Sequence, residues 1–532
     1  MIRRVPAPVV RKQLQDGAEL ALLDVREQGV HSRGHPFFAC SLPLSHLESR
    51  VRALVPRCSV PVVLIDEQDE GLARRAAARL SALGYTDIGI LENGCAGWKA
   101  GGGELFTGVN VPSKAFGEFV EHHYRTPHIS AAELRALLDR NERLVILDSR
   151  PFEEYHRMNI PTGIDVPGAE LAFRVHDLAP DPGTLVVVNC AGRTRSIIGC
   201  QSLRNAGIPN RVVALKDGTM GWELAGFSCE QGSDRTASAP SPNGRARGLE
   251  CAARVARRFG VQYAPTQRVR AWADDPTRTL FLLDVRTRSE FERAHIAGSR
   301  HAPGGQLVQA TDEFVGVRNA RVVLIDPEQV RAVMTASWLG QMGWDDVHVL
   351  EPEGRDGFDG WTVAHGPEAG TGPRPDPWPT IGPAALADRM KTADITVVDL
   401  STSLAFRSRH IPGAWWAVRA RLDQAREQLP DVRTLVLTSR DGSQARWAAA
   451  EAQDHWPDAQ VLVLDGGNEA WQAATYAMAG GMERTTTAPD DVWYRPYEQE
   501  DYARHARDYL SWEVALVEQV KRDPSIRFRT PM

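Results

Sequence analysis

The chain has 532 residues, 42% hydrophobic and 24% charged, and 62 Lys and Arg against 68 Asp and Glu give a net charge of -6. This composition excludes the disordered and collagenous classes, and the length, at roughly 150 residues per domain, predicts three or four domains. The charge balance is not the strongly basic one that favours nucleic acid or an anionic membrane, so we expect neither as a partner.

Seven cysteines lie in the first half of the chain, and their pattern does not predict a disulfide framework. Their number is odd, no pair has CxxC spacing and no histidine cluster accompanies them. We therefore expect a reducing, cytoplasmic location, no metal and no cofactor. No run of 18 apolar residues occurs and no apolar segment follows the first residues, so we expect no membrane span and no leader. The sequence indicates no oligomeric state.

The apolar runs of the chain repeat four times in the same register. A first run in each copy ends at an acidic residue, namely Asp24, Asp148, Asp284 and Asp399. A second run ends 42, 42, 42 and 40 residues later, at Asp66, Cys190, Asp326 and Ser439. A tryptophan then closes each copy, at Trp98, Trp222, Trp361 and Trp471. The period is far longer than that of a solenoid repeat, so each copy is predicted to be a domain with its own core.

Uninterrupted Val, Ile and Leu strands alternate with helical patterns inside each copy. This alternation predicts the α/β class, with each domain a parallel sheet covered by helices on both faces. The predicted organisation is domains at 1–108, 125–230, 253–365 and 376–481, a bridging segment at 109–124, a linker at 231–252 and a C-terminal tail at 482–532. The bridging segment has apolar residues at helical spacing, and the tail fits none of the repeats; we expect the tail either to wrap across the domains or to bind a partner.

The second strand of copy two ends in a loop with unusual chemistry. The sequence there is Cys190-Ala191-Gly192-Arg193-Thr194-Arg195, and a helical pattern begins at Ser196. In an open α/β sheet, ligands bind beyond the carboxyl ends of the strands, where loop N–H groups and a helix N-terminus favour anions. A thiol beside arginine at a helix start can have its pKa lowered enough to be a thiolate, so we predict that Cys190 is a nucleophile rather than a small buried apolar residue.

The repeats resemble the rhodanese family, and the resemblance rests on three motifs. The openings read Asp148-Ser-Arg150-Pro-Phe-Glu-Glu154-Tyr155 in copy two and Asp284-Val-Arg286-Thr-Arg-Ser-Glu290-Phe291 in copy three. The cysteine loop follows 42 residues after Asp148, and copy two closes with Gly218-Thr-Met-Gly221-Trp222. The resemblance covers most of the chain and implies four tandem rhodanese-like domains.

The family's nucleophile carries over to Cys190 alone. Asp66, Asp326 and Ser439 stand at the corresponding positions of the other copies, and neither a carboxylate nor a hydroxyl forms a persulfide, so these three domains are expected to be silent. The loops after Asp66 and Asp326, which run to Gly71 and Gln329, are also acidic, which disfavours a sulfur anion.

The resemblance implies a thiosulfate sulfurtransferase that works by a two-step, ping-pong transfer. Cys190 takes the outer sulfur of thiosulfate as a persulfide and releases sulfite, and an acceptor such as cyanide or a thiol then removes that sulfur. The expected substrate-binding groups are Arg193, Arg195, Arg150, Ala191, Gly192, Thr194 and Ser196, with Asp148 in a supporting role. For Arg150 and Asp148 an internal ion pair is an equally good interpretation.

Three alternatives remain open at this point. One is a 3-mercaptopyruvate donor, and another is a non-enzymatic persulfide carrier or scaffold that serves a sulfur-acceptor protein. A cysteine phosphatase is disfavoured, because Ser196 stands where its Cys-x5-Arg signature needs arginine and Asn189 where it needs histidine. Lys114, His122 and His123 of the bridging segment are either additional cations for the Cys190 site or a solvated helix face, and Cys200 is expected to belong to the core.

Overall fold

The computed structural model describes residues 2–68, 71–354, 356–370, 372–392, 395–429 and 431–530. The chain forms four α/β units, each built on a five-stranded sheet in which every strand pairs parallel to its neighbours. The strand order is the same in all four, for example β1-β5-β4-β2-β3 in the first, and the two runs seen in the sequence are the adjacent central strands. The predicted fold class is confirmed. Of the acidic loop that follows Asp66, Asp69 and Glu70 lie outside the described residues.

Units 1 and 2 are joined by a helix. Unit 1 comprises strands β1 Arg3–Val5, β2 Ala21–Asp24, β3 Cys40–Ser41, β4 Val62–Ile65 and β5 Ile88–Leu91, and helices α1 Ala7–Asp16, α2 Gln28–His31, α3 Leu47–Leu54, α4 Gly71–Ala82 and α5 Gly94–Ala100. The predicted bridging segment forms α6, Val111–Tyr124. Unit 2 comprises β6 His128–Ile129, β7 Leu144–Asp148, β8 Ile164–Asp165, β9 Leu185–Asn189 and β10 Val212–Leu215, with α7 Ala131–Asp139, α8 Phe152–Arg157, α9 Leu171–Leu178, α10 Thr194–Ala206 and α11 Gly218–Leu224.

Units 3 and 4 repeat the pattern, and a long helix ends the chain. After α12, Pro242–Phe259, unit 3 comprises β11 Gln262–Ala264, β12 Leu280–Asp284, β13 His295–Ile296, β14 Arg300–His301, β15 Arg321–Ile325, β16 Val347–Leu350 and β17 Val363–Ala364, with α13 Thr266–Ala273, α14 Arg288–Arg293, α15 Gly304–Gln309, α16 Thr311–Phe314 and α17 Val330–Gln341. Unit 4 comprises β18 Thr380–Ile381, β19 Thr396–Asp399, β20 Trp415–Trp416, β21 Thr434–Thr438 and β22 Gln460–Leu464, with α18 Pro383–Arg389, α19 Ser403–Ser408, α20 Leu422–Gln428, α21 Ser443–His455 and α22 Gly467–Ala473. Helix α23 spans Tyr502–Val520.

Short 3-10 turns complete the elements, at Leu44–His46, Gly168–Glu170, Met390–Thr392, Arg419–Arg421 and Pro496–Glu498. Within the described ranges, no helix has the length and apolar character needed to cross a membrane.

The segments between and after the units are more ordered than their composition indicates. Half of the segment predicted as a linker forms α12, which Ser241 caps by accepting a hydrogen bond from the Gly244 N–H, and which packs on α9 and α17. The C-terminal tail contacts all four units and packs α23 on α6. Phe528 contacts Phe37 of unit 1, and Glu513 accepts a hydrogen bond from Thr194 of unit 2. The Arg529 N–H donates to the Gln341 carbonyl of unit 3, and Asp491 accepts from Ser403 of unit 4. The tail is therefore part of the folded body.

A buried cluster of charges joins units 1 and 4. The Arg419 guanidinium donates to both carboxylate oxygens of Glu48, at 2.8 and 2.9 Å, and to Glu451 at 2.9 Å. Arg79 of α4 reaches the same two carboxylates. Arg419 and Glu48 are almost fully buried, so each charge depends on the other for compensation.

Arg419→Met should weaken this interface, because it leaves the Glu48 carboxylate buried with only Arg79 beside it. The expected cost is about 3 kcal/mol, visible as a lower Tm of the transition that includes units 1 and 4 in calorimetry. Arg440→Met, which removes an exposed arginine paired with Glu469, is the control and should leave Tm unchanged. Equal Tm values for the two variants would contradict the assignment.

Candidate active site

Cys190 follows β9 directly and precedes α10 by four residues, at the carboxyl end of the sheet of unit 2. Its main chain is held from below by α11: the Thr219 N–H donates to the Cys190 carbonyl at 2.8 Å and the Met220 N–H to that of Ala191 at 2.9 Å. Gly218, at φ +55°, makes this approach possible, since a Cβ there would lie 2.3 Å from the Cys190 carbonyl oxygen. The loop is thus fixed before any ligand arrives.

The Cys190 side chain is 2% exposed, and this burial corrects one expectation. Burial raises the pKa of the thiol above its ordinary value, and the negative charge of Glu513 acts in the same direction. The Arg195 charge and hydrogen bonds from the hydroxyl and backbone N–H of Ser196 oppose it but do not prevail. The prediction of a lowered pKa in the resting site is therefore wrong, because it counted the neighbouring arginines but not the desolvation.

The two loop arginines have different surroundings. Arg195 makes a bidentate pair with Glu154, at 2.9 and 2.8 Å, and its charge acts on the Cys190 thiol. Arg193 turns away to α6, where it pairs with Glu118 at 2.7 and 2.8 Å and also with Glu121. A third carboxylate, that of Asp217, accepts from it at 3.0 Å. With three carboxylates on one guanidinium, Arg193 joins the loop to the bridging helix.

Asp148 and Arg150 form a buried internal ion pair, with distances of 2.8 and 2.7 Å, and Arg150 also donates to the Met158 carbonyl at 2.6 Å. The same geometry occurs between Asp24 and Arg26 in unit 1 and between Asp284 and Arg286 in unit 3. Because units without a cysteine at the end of the second strand build the same pair, its geometry is that of a structural anchor. The Arg150 guanidinium therefore has hydrogen-bond acceptors within the protein and does not depend on a substrate for them.

At the equivalent strand ends of units 3 and 4, N–H groups of the following loop donate to the side chain of the residue that ends the strand. In unit 3, Asp326 accepts from the Arg331 N–H at 2.8 Å, from the Ala332 N–H at 3.3 Å and from the Arg331 guanidinium at 2.8 Å. In unit 4, the Ser439 hydroxyl oxygen accepts from the Ala445 N–H at 3.3 Å.

In unit 1, the side chain that accepts from the loop N–H groups is again a carboxylate. Asp66 accepts from the N–H groups of Glu67 and Ala73, at 2.7 and 3.1 Å. Each loop therefore points backbone donors at the side chain that ends the second strand, and in unit 3 an arginine five residues later joins them, as Arg195 stands five residues after Cys190.

A cavity of about 420 Å³ lies above Cys190, and all four units and the tail contribute to its wall. Loop residues Ala191, Gly192, Arg193 and Thr194 line it on one side. The opposite walls include Gln28 of unit 1, Gln306 of unit 3, Thr402 of unit 4 and Arg495 of the tail. The nucleophile candidate is thus enclosed by parts of the chain that are far from it in sequence.

The structure also settles the positions of the bridging-segment cations. Lys114 is 5% exposed and lines the cavity, where its ammonium donates to the Glu513 carboxylate at 3.3 Å and to the Tyr509 hydroxyl. His122 and His123 are exposed on the far side of α6. Cys200 is fully buried, and burial raises the pKa of its thiol to about 12, in agreement with a core position.

Sequence reasoning missed Glu154, Arg495, Tyr509 and Glu513 as cavity residues. The last two lie one helical turn apart in α23, in the segment that fits none of the repeats. An i, i+4 pair of polar residues on an otherwise amphipathic helix is a weak signal, and nothing in its spacing indicates which unit the helix covers.

The fold and the site together describe a chain of four parallel α/β units with a thiol at one strand end. The family model of the rhodanese-like domain matches residues 7–101, 130–225, 266–364 and 382–474, and the chain belongs to this family as four tandem rhodanese-like domains. The crystal structure of a thiosulfate sulfurtransferase from Pseudomonas aeruginosa has a TM-score of 0.95 and 47% identity, covering 100% of both chains.

Two curated relatives match shorter parts. A helix-turn-helix-type transcriptional regulator of Mycobacterium tuberculosis is 35% identical over 106 residues, 20% of this chain, and the chain covers only 45% of its length. A Bacillus subtilis protein whose name gives sulfur carrier as a provisional function is 23% identical over 177 residues, 31% of this chain and 90% of the relative.

The raised pKa predicts that Cys190 is a protonated thiol at neutral pH. Its thiolate absorbance, taken as the difference between wild type and Cys190→Ala, should appear only above the ordinary thiol pKa of about 8.5. Arg195→Gln should move this titration to higher pH, because Arg195 stabilises the thiolate; Arg135→Gln, on the exposed face of α7, should not. A thiolate already formed below pH 7 would contradict the burial argument.

Proposed function

We propose that this protein transfers a sulfane sulfur from thiosulfate to a thiol or cyanide through a persulfide on Cys190. The observation that carries the proposal is the placement of a thiol where the other three domains hold Asp or Ser, on the floor of a cavity with Arg195 and Lys114. The full-length likeness to the Pseudomonas aeruginosa thiosulfate sulfurtransferase supports the same class of reaction. Domains 1, 3 and 4 are proposed to be catalytically silent.

Domain 3 supplies an internal argument for anion binding. The Asp326 carboxylate is held by two N–H groups and by the Arg331 guanidinium. Arg331 in turn pairs with Glu290, as Arg195 pairs with Glu154. In domain 2 a thiol replaces the carboxylate, so the same donors are available to a thiolate or to the terminal sulfur of a persulfide. The Ser196 N–H is the proposed donor and Arg195 the proposed charge partner, while the Ser196 hydroxyl donates to the Arg193 carbonyl at 2.8 Å.

The proposed first step balances without an oxidant. The Cys190 sulfur forms a bond to the outer sulfur of thiosulfate as the S–S bond of thiosulfate breaks, and the thiol proton leaves with sulfite as bisulfite. The persulfide anion remains on Cys190. Burial raises the pKa of the free thiol, but the amides and Arg195 stabilise the negative charge that develops on sulfur as the proton departs. In the second step the acceptor takes the outer sulfur.

We assign the remaining loop residues by their contacts. Ala191 and Gly192 line the cavity and offer main-chain groups, whereas the Thr194 hydroxyl donates to Glu513 at 3.3 Å. Arg193 is proposed as a positioning residue, since its guanidinium is committed to three carboxylates. Arg150 and Asp148 are proposed as a structural anchor for the same loop.

The burial of Cys190 favours a small-molecule enzyme over a persulfide carrier for a sulfur-acceptor protein. Cys190 is 2% exposed at a cavity that all four domains line, which suits the approach of a small donor or acceptor better than that of a protein thiol. The choice between thiosulfate and 3-mercaptopyruvate rests on charge: Arg195 and Lys114 both face the cavity, which suits a dianion.

Incubation of the purified protein with thiosulfate should add one sulfur atom to its intact mass and release sulfite. Cys190→Ala should abolish both results, because no other strand end of the four carries a thiol. Cys200→Ala is the matched control and should behave as wild type, since Cys200 is a core residue. Sulfur uptake that survives in Cys190→Ala would refute the site, and a carrier would show uptake without steady turnover of small acceptors.

Arg195→Gln should raise the KM for thiosulfate by at least about 10-fold, because it removes a charge-assisted contact to the dianion. The change should be smaller for an uncharged or monoanionic donor such as 3-mercaptopyruvate. Steady-state kinetics with both donors measure the difference. An equal loss with the two donors would show that Arg195 does not distinguish donor charge.

A further inference from the structure

The C-terminal helix places a carboxylate beside the Cys190 loop that the transfer described so far does not use. Tyr509 and Glu513 lie one turn apart on α23 and both line the Cys190 cavity. Glu513 is 1% exposed, so its carboxylate lies almost entirely within the protein. A buried carboxylate needs hydrogen-bond partners, and the two oxygens of Glu513 differ sharply in this respect.

One carboxylate oxygen of Glu513 accepts three hydrogen bonds. Oε1 accepts from the Tyr509 hydroxyl at 2.8 Å, from the Lys114 ammonium at 3.3 Å and from the Thr194 hydroxyl at 3.3 Å. Lys114 also lies over the Tyr509 ring, 4.6 Å from its centroid. These contacts fix the carboxylate and compensate its charge.

The other oxygen, Oε2, is buried and has no hydrogen-bond partner. It faces the loop that carries Cys190, since a Cβ built on Gly192 would lie 3.4 Å from it. Its negative charge acts on the Cys190 thiol. A buried acceptor without a donor is costly, so a hydrogen-bond donor that enters the cavity beside this loop would be stabilised at Oε2.

The sulfur donor does not supply this partner, because thiosulfate is a dianion without a hydrogen to donate. A thiol acceptor does have one, and its proton must leave before its sulfur becomes a good nucleophile. The position of Oε2, against the loop that holds the persulfide, is where such a proton would be taken.

We propose that Glu513 is the general base of the second half of the transfer and that the acceptor is a small thiol. As the acceptor sulfur bonds to the outer persulfide sulfur, its S–H proton passes to Glu513 Oε2 and the bond between the Cys190 sulfur and the outer sulfur breaks. Glu513 then returns the proton to Cys190, and the acceptor leaves as a hydropersulfide anion. The inference rests on the proposed function, and no oxidant or reductant is required.

The test begins with protein already loaded with sulfur from thiosulfate and follows loss of that sulfur by intact mass. With 2-mercaptoethanol as acceptor near neutral pH, Glu513→Gln should discharge at least about 100-fold more slowly than wild type. With sulfite as acceptor above neutral pH, where it carries no proton, the variant should discharge as fast as wild type or faster. Glu518→Gln, on the exposed face of the same helix, is the matched control and should equal wild type with both acceptors.

A pH profile separates a base from a merely structural residue. The defect of Glu513→Gln with 2-mercaptoethanol should shrink as pH rises, because the acceptor then arrives as a thiolate. Equal slowing with thiol and sulfite, a defect independent of pH, or no defect at all would each overturn the proposal.

Two further outcomes are distinguishable. Wild type that takes up no sulfur from thiosulfate overturns the proposed function, and this inference with it. If Glu513→Gln does not fold, Glu513→Asp keeps the carboxylate but withdraws it from the loop by one methylene. It should retain sulfite discharge and lose thiol discharge in the same pH-dependent way, and equal rates with both acceptors would overturn the assignment.

Discussion

Backbone N–H groups at the turn after the second central strand impose the constraint on which this structure depends. They are buried and require an electron-rich atom, since an unsatisfied buried donor costs about 1–3 kcal/mol. A carboxylate meets this need in domains 1 and 3, through Asp66 and Asp326, and a hydroxyl meets it in domain 4, through Ser439. A thiol meets it weakly, because sulfur is a poor acceptor. The donors of this turn are thus satisfied by a side-chain oxygen in three domains and remain available for an anion beside Cys190.

The cations Arg195 and Lys114, which line the cavity, are already paired with carboxylates. Arg195 has Glu154 and Lys114 has Glu513, so neither cation waits unpaired for a substrate. An incoming dianion must therefore share these cations with carboxylates that are already bound to them. The ion pairs compensate the buried charges of the site. The site therefore favours a ligand that donates a hydrogen bond to the acceptor that has none, Glu513 Oε2.

The sequence was sufficient for the features that are local or repeated. The register of the two central strands, the strand end at Cys190 and the α/β class all follow from apolar runs and turn residues within a single copy. It was insufficient where the interacting residues are far apart in the chain, or where burial determines the direction of a pKa shift. Lys114 and Glu513 are 399 residues apart, and no spacing rule links them. Arg193 was expected at the substrate because it is two residues from Arg195, yet the side chains diverge, one to α6 and one to Glu154.

Domains 1, 3 and 4 have a physical role at the Cys190 site that does not depend on any chemistry of their own. A single domain would leave the Cys190 loop open to water at the carboxyl end of its sheet, where solvent screens the attraction between Arg195 and an anionic sulfur. Gln28, Gln306 and Thr402 close that end from three other domains, and the tail adds Arg495 and Glu513. Exclusion of water raises the pKa of the Cys190 thiol, but it also strengthens each electrostatic contact that an anion makes once it reaches the loop.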